Sequence, residues 1–205
     1  MPRVHLEPLF ASPLYRAQLG ARALNVALEH ACLAIAREDV VGQRWCKEHG
    51  YKGYTSYASL DDLPRRSPEF ADLAHRLQRH AQAFCRALAY DLDGRRLNLD
   101  SLWINVLKPG GQHSAHLHPH AFISGTYYVS VPPGAGAIRF EDPRLAMFMA
   151  APPRKRHAPR SRKSFVTIAP RTGTLLLWES FLRHDVPANT GTSSRISISF
   201  NFAAR

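Results

Sequence analysis

Residues 113–120 read HSAHLHPH and hold four of the chain's eleven histidines. Neutral imidazole is the commonest side-chain ligand for transition metals. If AHLHP runs as a strand, its two-residue period puts His116 and His118 on one face and Leu117 on the other. Two imidazoles then reach one ion without distorting the backbone. Pro119 stops the ladder and turns His120 off that face. His113 and His120 are expected beside the site or in solvent, with His120 the better candidate for a supporting role. A third ligand must come from elsewhere. His184, in LWESFLRHDVPAN, also ends an apolar run before a proline-containing turn. Asp185 follows it and so points to the opposite face, which disfavours a carboxylate there. Taken singly, each histidine also suits a polar loop or a strand end.

Such a cluster needs a scaffold, and the chain has two kinds of segment to build one. Up to about residue 95 it reads mostly helical after a short extended start, LFASPLYRAQL, in which Pro13 forbids regular helix. ARALNVALEHACLAIARED repeats apolar residues at Leu24, Ala27, Leu28, Ala31 and Ile35. SPEFADLAHRLQRHAQAFCRALAYDL does so at Phe70, Leu73, Leu77, Ala81, Phe84 and Leu88. Ser67 is placed to cap that helix, Pro68 suits its first position, and Glu69 adds negative charge to its first turn. The Gly- and Tyr-rich GYKGYTSYASLDDLP between them predicts a loop lying over something.

From about residue 96 short β-branched and aromatic runs alternate with Gly and Pro, the grammar of antiparallel strands. The spacing predicts one domain over 1–205, with about 1–95 a helical support and about 96–205 an antiparallel sandwich or jelly-roll barrel. In RISISFNF the alternation puts Arg195, Ser197, Ser199 and Asn201 on one face and Ile196, Ile198, Phe200 and Phe202 on the other. That is either a half-exposed strand or a barrel wall whose polar face lines a cavity.

The bulk properties narrow the classes. No run approaches the roughly 20 apolar residues of a membrane span. Glu7 and Pro8 stand where an export signal would place its apolar centre, so none is read. Cys32, Cys46 and Cys85 are odd in number and scattered, which predicts free thiols in a reducing cytoplasm. The net charge is +11, and in RKRHAPRSRK, residues 154–163, six of ten residues are Arg or Lys. Such a block attracts acidic partners. Without interleaved aromatics it is a poor single-strand nucleic-acid binder. Nucleic acid is therefore disfavoured, and Arg154, Lys155 and Arg156 are candidates to steer an acidic substrate.

The order of motifs resembles a bacterial family of 2-oxoglutarate/Fe(II)-dependent oxygenases. The resemblance rests on Trp103 and Asn105, His116-Leu-His118-Pro119, SGTYYV, FEDPR, PRTGTLLLW, HDV and RISISFN, in that order over most of the chain. It implies an α+β fold: a double-stranded β-helix, jelly-roll and cupin-like, with the amino-terminal helices on its outer face. It implies Fe(II) held by His116, His118 and His184, with 2-oxoglutarate and O2 as co-substrates. Arg195 would grip the distal carboxylate of 2-oxoglutarate, with Ser197, Tyr128 and Asn105 around it. Tyr127 is the alternative to Tyr128. His118 stands where the wider superfamily has a carboxylate, so Glu141 or Asp142 remains an alternative ligand, although an Asp-Pro turn accounts for FEDPR more simply. The reaction implied is hydroxylation of a peptide, protein or small-molecule substrate, with release of succinate and CO2. A three-histidine dioxygenase without 2-oxoglutarate leaves Arg195 without a task; a non-catalytic basic binding module is the third reading.

Overall fold

Apolar periodicity over residues 22–38 and 68–87 becomes two long helices, α1 (Arg22–Glu38) and α4 (Pro68–Ala87), in the computed structural model. It describes residues 5–7 and 9–205. The reading of the amino terminus as lacking an export signal rests partly on residues 1–4 and Pro8, outside the described residues. Two shorter helices intervene, α2 (Val40–Glu48) and α3 (Leu63–Arg66), where two helices had been expected in all. The start of α2 is set by Asp39, whose carboxylate accepts from the Gly42 amide at 3.0 Å. Ser67 does precede α4, but its buried hydroxyl has no partner, so Pro68 and Glu69 are left to favour that start.

Ten strands follow the expected grammar: β1 (Tyr15–Gln18), β2 (Gly53–Thr55), β3 (Leu97–Leu107), β4 (His113–His116), β5 (Ile123–Ser130), β6 (Ile138–Glu141), β7 (Phe165–Ile168), β8 (Thr174–Glu179), β9 (His184–Val186) and β10 (Arg195–Ala204). They form two antiparallel sheets, ordered β1-β8-β5-β10-β3-β2 and β4-β9-β6-β7. This is the double-stranded β-helix. Strand β2 lies in the Tyr-rich segment read as loop. Gly53 makes its pairing possible, because its φ is +146° and a methyl group there would overlap the Val106 carbonyl.

The two faces of β10 resolve the choice left by its alternation. Ile196, Ile198, Phe200 and Phe202 are all buried in a core shared with Leu28 and Cys32 of α1 and with Phe70, Leu73 and Leu77 of α4. Burying such side chains contributes about 1.5–3 kcal/mol each, so this face must meet the helices. The polar face is then turned toward the second sheet, where Arg195 and Ser197 are 2% and 1% exposed. A smaller core of Leu107, Tyr128, Phe140, Leu176, Trp178, Leu182 and Val186 fills the space between the sheets.

Helix α1 fixes one more orientation. Asn25, buried within its face, donates to Val129 O at 2.8 Å and accepts from the Tyr127 hydroxyl at 2.9 Å. Tyr127 therefore faces the helices, and its neighbour Tyr128 faces the inter-sheet space. The three cysteines are buried free thiols. Among the described residues no helix is long and apolar enough to cross a membrane.

Candidate metal centre

Strands β4 and β9 pair with His116 directly opposite His184. Their rings lie 4.4 Å apart, centroid to centroid. β4 ends at His116, so His118 is not on the strand as expected but two residues beyond it. Its amide donates to Ser180 O at 3.2 Å, which returns its ring to within 5.1 Å of His116 and 5.2 Å of His184. One ring nitrogen from each of the three lies within 4.8 Å of the others. Among the described residues no other group of three His, Cys, Asp or Glu converges in this way. Glu141 is held by Arg183 at 2.7 Å, Asp142 by Arg144 at 2.8 Å and Asp185 by Arg139 at 2.6 Å. All three carboxylates are thus committed elsewhere, and FEDPR makes a turn in which Asp142 also accepts from the Arg144 amide.

The ring tautomers follow from the backbone. Nδ1 of His116 sits 2.7 Å from Ser114 O, and Nδ1 of His184 sits 2.9 Å from Leu182 O. A carbonyl can only accept, so each Nδ1 carries the proton and each Nε2 keeps a free lone pair. Trp178 and Phe140 pack on His184, and Trp103 packs on His118. Burial, with repulsion from the neighbouring rings, pushes His184 down to about 3 and His118 down to about 4. His184 and His118 are thereby held in the neutral form that binds metal.

Arg195 begins β10 in the same inter-sheet space. Its Nη1 donates to Gly136 O at 2.8 Å and its Nη2 to Ser197 Oγ at 3.4 Å, while the buried Nε has no partner. No carboxylate pairs with it among the described residues, although a buried guanidinium without a counter-charge costs several kcal/mol. Tyr128 lies beneath it, with the guanidinium carbon 5.5 Å from the ring centre. Register explains the grouping: Asn105, Ser197 and Tyr128 are opposite one another across β3, β10 and β5. Burial pushes the Tyr128 hydroxyl up to about 12, so it remains a phenol beside the cation. The donor set fits the expected groups: three lone pairs for a metal ion, and a buried cation for a carboxylate.

Asn105 differs. Its amide accepts from Thr55 Oγ1 at 3.0 Å and donates to Ser199 Oγ at 3.1 Å, a cross-strand polar link. His120 is exposed, with φ +67°, whereas His113 is the histidine drawn inward, bonded to Tyr51. Tyr51 belongs to the Tyr-rich stretch read as lying over something; which tyrosine did so depended on the fold. Of Arg154, Lys155 and Arg156, all exposed, only Arg154 lines a cavity described below.

The chain shares this fold with a Pseudomonas putida prolyl-4-hydroxylase, at a TM-score of 0.63 and 16% identity over 94% of this chain and 92% of that one. HygX from Streptomyces hygroscopicus, solved with nickel and 2-oxoglutarate bound, aligns at a TM-score of 0.61 and 14% identity, over 94% of this chain and 82% of HygX. SnoK, a non-heme alpha ketoglutarate dependent carbocyclase from nogalamycin biosynthesis, aligns at 0.62 and 14%, over 93% and 79%. At these identities the likeness speaks for the fold alone. No curated protein matches the sequence significantly. Residues 101–201, which contain the three histidines, Tyr128, Arg195 and Ser197, match the family described as "Putative 2OG-Fe(II) oxygenase". Residues 101–201 thus carry the likeness to the 2-oxoglutarate/Fe(II)-dependent oxygenases, and three histidines converge there where the wider superfamily has two histidines and a carboxylate.

Proposed function

We propose that His116, His118 and His184 hold Fe(II) through their Nε2 atoms, and that Arg195, with Ser197 and Tyr128, binds the distal carboxylate of 2-oxoglutarate. The observation that carries this is a pairing: three converging imidazoles beside one buried guanidinium that has no carboxylate partner among the described residues. Iron with 2-oxoglutarate and O2 supplies oxidative decarboxylation to succinate and CO2, coupled to oxidation of a C–H bond. The chain's own part is positional. Arg195 offers a planar set of donors matched to a carboxylate, and Tyr128 keeps its proton to donate. Asn105 holds the wall behind them through Thr55 and Ser199. Trp178 and Phe140 pack on His184 and Trp103 packs on His118, which steadies those two rings.

The outcome proposed is hydroxylation of a substrate that carries negative charge, drawn by the basic segment 154–163. Residues 1–95 act with 96–205 as one domain, an idea supported by the shared core of α1, α4 and β10. Buried free thiols suit the cytoplasm. A three-histidine dioxygenase without 2-oxoglutarate would leave Arg195 buried for no gain.

Anaerobic titration of Fe(II), with and without 2-oxoglutarate, tests the reading. A weak visible charge-transfer band should need both components and vanish in His116→Ala and His184→Ala. Arg195→Ala should weaken 2-oxoglutarate binding and leave the metal bound. Absence of the band, together with no succinate from any substrate pool, sinks the proposal.

A further inference from the structure

A cavity of about 810 Å3 lies against the site without being part of it. None of the three histidines lines it, nor does Arg195, so neither the metal nor 2-oxoglutarate accounts for it. Its apolar lining includes Phe140, Ile168 and Leu182 of the inter-sheet core. Two of these also support His184: the Phe140 ring is 5.9 Å from the imidazole, and Leu182 O accepts from its Nδ1. One layer of side chains thus separates the cavity from a proposed metal ligand.

The lining is also cationic. Arg154, Arg160, Arg162 and Lys163 border the cavity, and among the described residues none makes an ion pair. The acidic side chains at the same border are fewer and mostly engaged. Asp142 is paired with Arg144 and Glu141 with Arg183, which leaves Glu7. Four cations without ion pairs among the described residues share the lining with apolar side chains, which makes it amphipathic. The volume falls within the roughly 300–1,000 Å3 of small-molecule sites, too small for a folded partner.

We infer that this cavity binds a small organic anion with an apolar body, at a site set apart from the metal by Phe140 and Leu182. The hydrocarbon or aromatic part rests on Phe140, Ile168 and Leu182, and a carboxylate, sulfonate or phosphate meets Arg154, Arg160 and Lys163. The binding itself needs neither iron nor 2-oxoglutarate, and is measured without them.

The probe is 8-anilinonaphthalene-1-sulfonate, an anion on an apolar body, with the uncharged N-phenyl-1-naphthylamine as its control. The metal-free protein should bind the sulfonate saturably, one per chain, and more weakly as salt rises. The triple variant Arg154→Gln/Arg160→Gln/Lys163→Gln should bind it at least tenfold more weakly and bind the uncharged dye as before. Decanoate should displace the sulfonate. Loading the histidines with Co(II), followed by its own visible absorption, should quench the bound dye, whereas Zn(II) should not. Non-saturable binding, or an unchanged affinity in the triple variant, overturns the site. Displacement by a hexaglutamate peptide but not by decanoate overturns the ligand class. Co(II) bound without quenching overturns the placement of the bound anion next to His184. If the charge-transfer band fails while dye binding succeeds, the oxygenase reading falls and the anion site stands.

Discussion

The hydroxyl of Tyr51 lies 2.8 Å from Nε2 of His113, joining the turn before β2 to the strand that ends in His116. Burial, then the neighbouring Arg195 charge, then His116 and His184, push His113 down to about 3, so the ring is neutral. Burial also raises the Tyr51 hydroxyl above its ordinary value, so it remains a donor. Tyr51 Oη and His113 Nε2 thus share one hydrogen bond between neutral partners. Tyr51→Phe leaves that nitrogen without a partner and should cost about 1–3 kcal/mol of stability. Tyr51→Phe/His113→Phe removes both partners and should lie closer to wild type. Urea unfolding of the metal-free variants measures both.

Arg195→Lys keeps the charge and loses the planar fork. A charge-assisted hydrogen bond is worth about 1.5–3 kcal/mol, so 2-oxoglutarate affinity should fall by about tenfold to a hundredfold. Fe(II) affinity should not change. Titrating the charge-transfer band with 2-oxoglutarate, and then with metal, separates the two effects.

The depressed histidines make the metal-free protein sensitive to acid. Unfolded imidazoles titrate near 6.5, whereas His113 and His184 are at about 3 and His118 at about 4 in the fold. Between those values the unfolded chain binds protons that the folded chain refuses. Stability contributed by these groups is thus fully present above about pH 6.5 and is lost as the pH falls toward 4. The midpoint of thermal unfolding should drop over that window, and His113→Phe should make the drop shallower.

Gly125, in SGTYYV, lies where β5 meets both β8 and β10. A methyl group there would overlap the Phe200 ring and crowd Leu176 O at 2.7 Å. Gly125→Ala should destabilise the protein by about 1–3 kcal/mol, the usual effect of overpacking a filled core. Calorimetry on the metal-free protein should detect it without any effect on the metal ligands' own chemistry.

Much of this was legible in residue order. The two long helices, most of the strands and the two faces of β10 follow from periodicities of 3.6 and 2, which depend on neighbours alone. His116, His118 and His184 could be singled out because histidine before proline at a strand end is a local pattern. The sequence also separated Asp185 from His184, since adjacent strand residues face opposite ways. Other features needed the fold. β4 stops at His116, and only the distant Ser180 carbonyl returns His118 to the cluster. By sequence His120 is a better candidate than His113 for a supporting role, yet Tyr51 draws His113 inward while a left-handed backbone turns His120 to solvent. Tyr127 and Tyr128 are separated by Asn25, a polar residue within a helix face that periodicity reads as apolar. Periodicity reports which way a side chain points; only packing decides what it meets there, because each such partner lies far away along the chain.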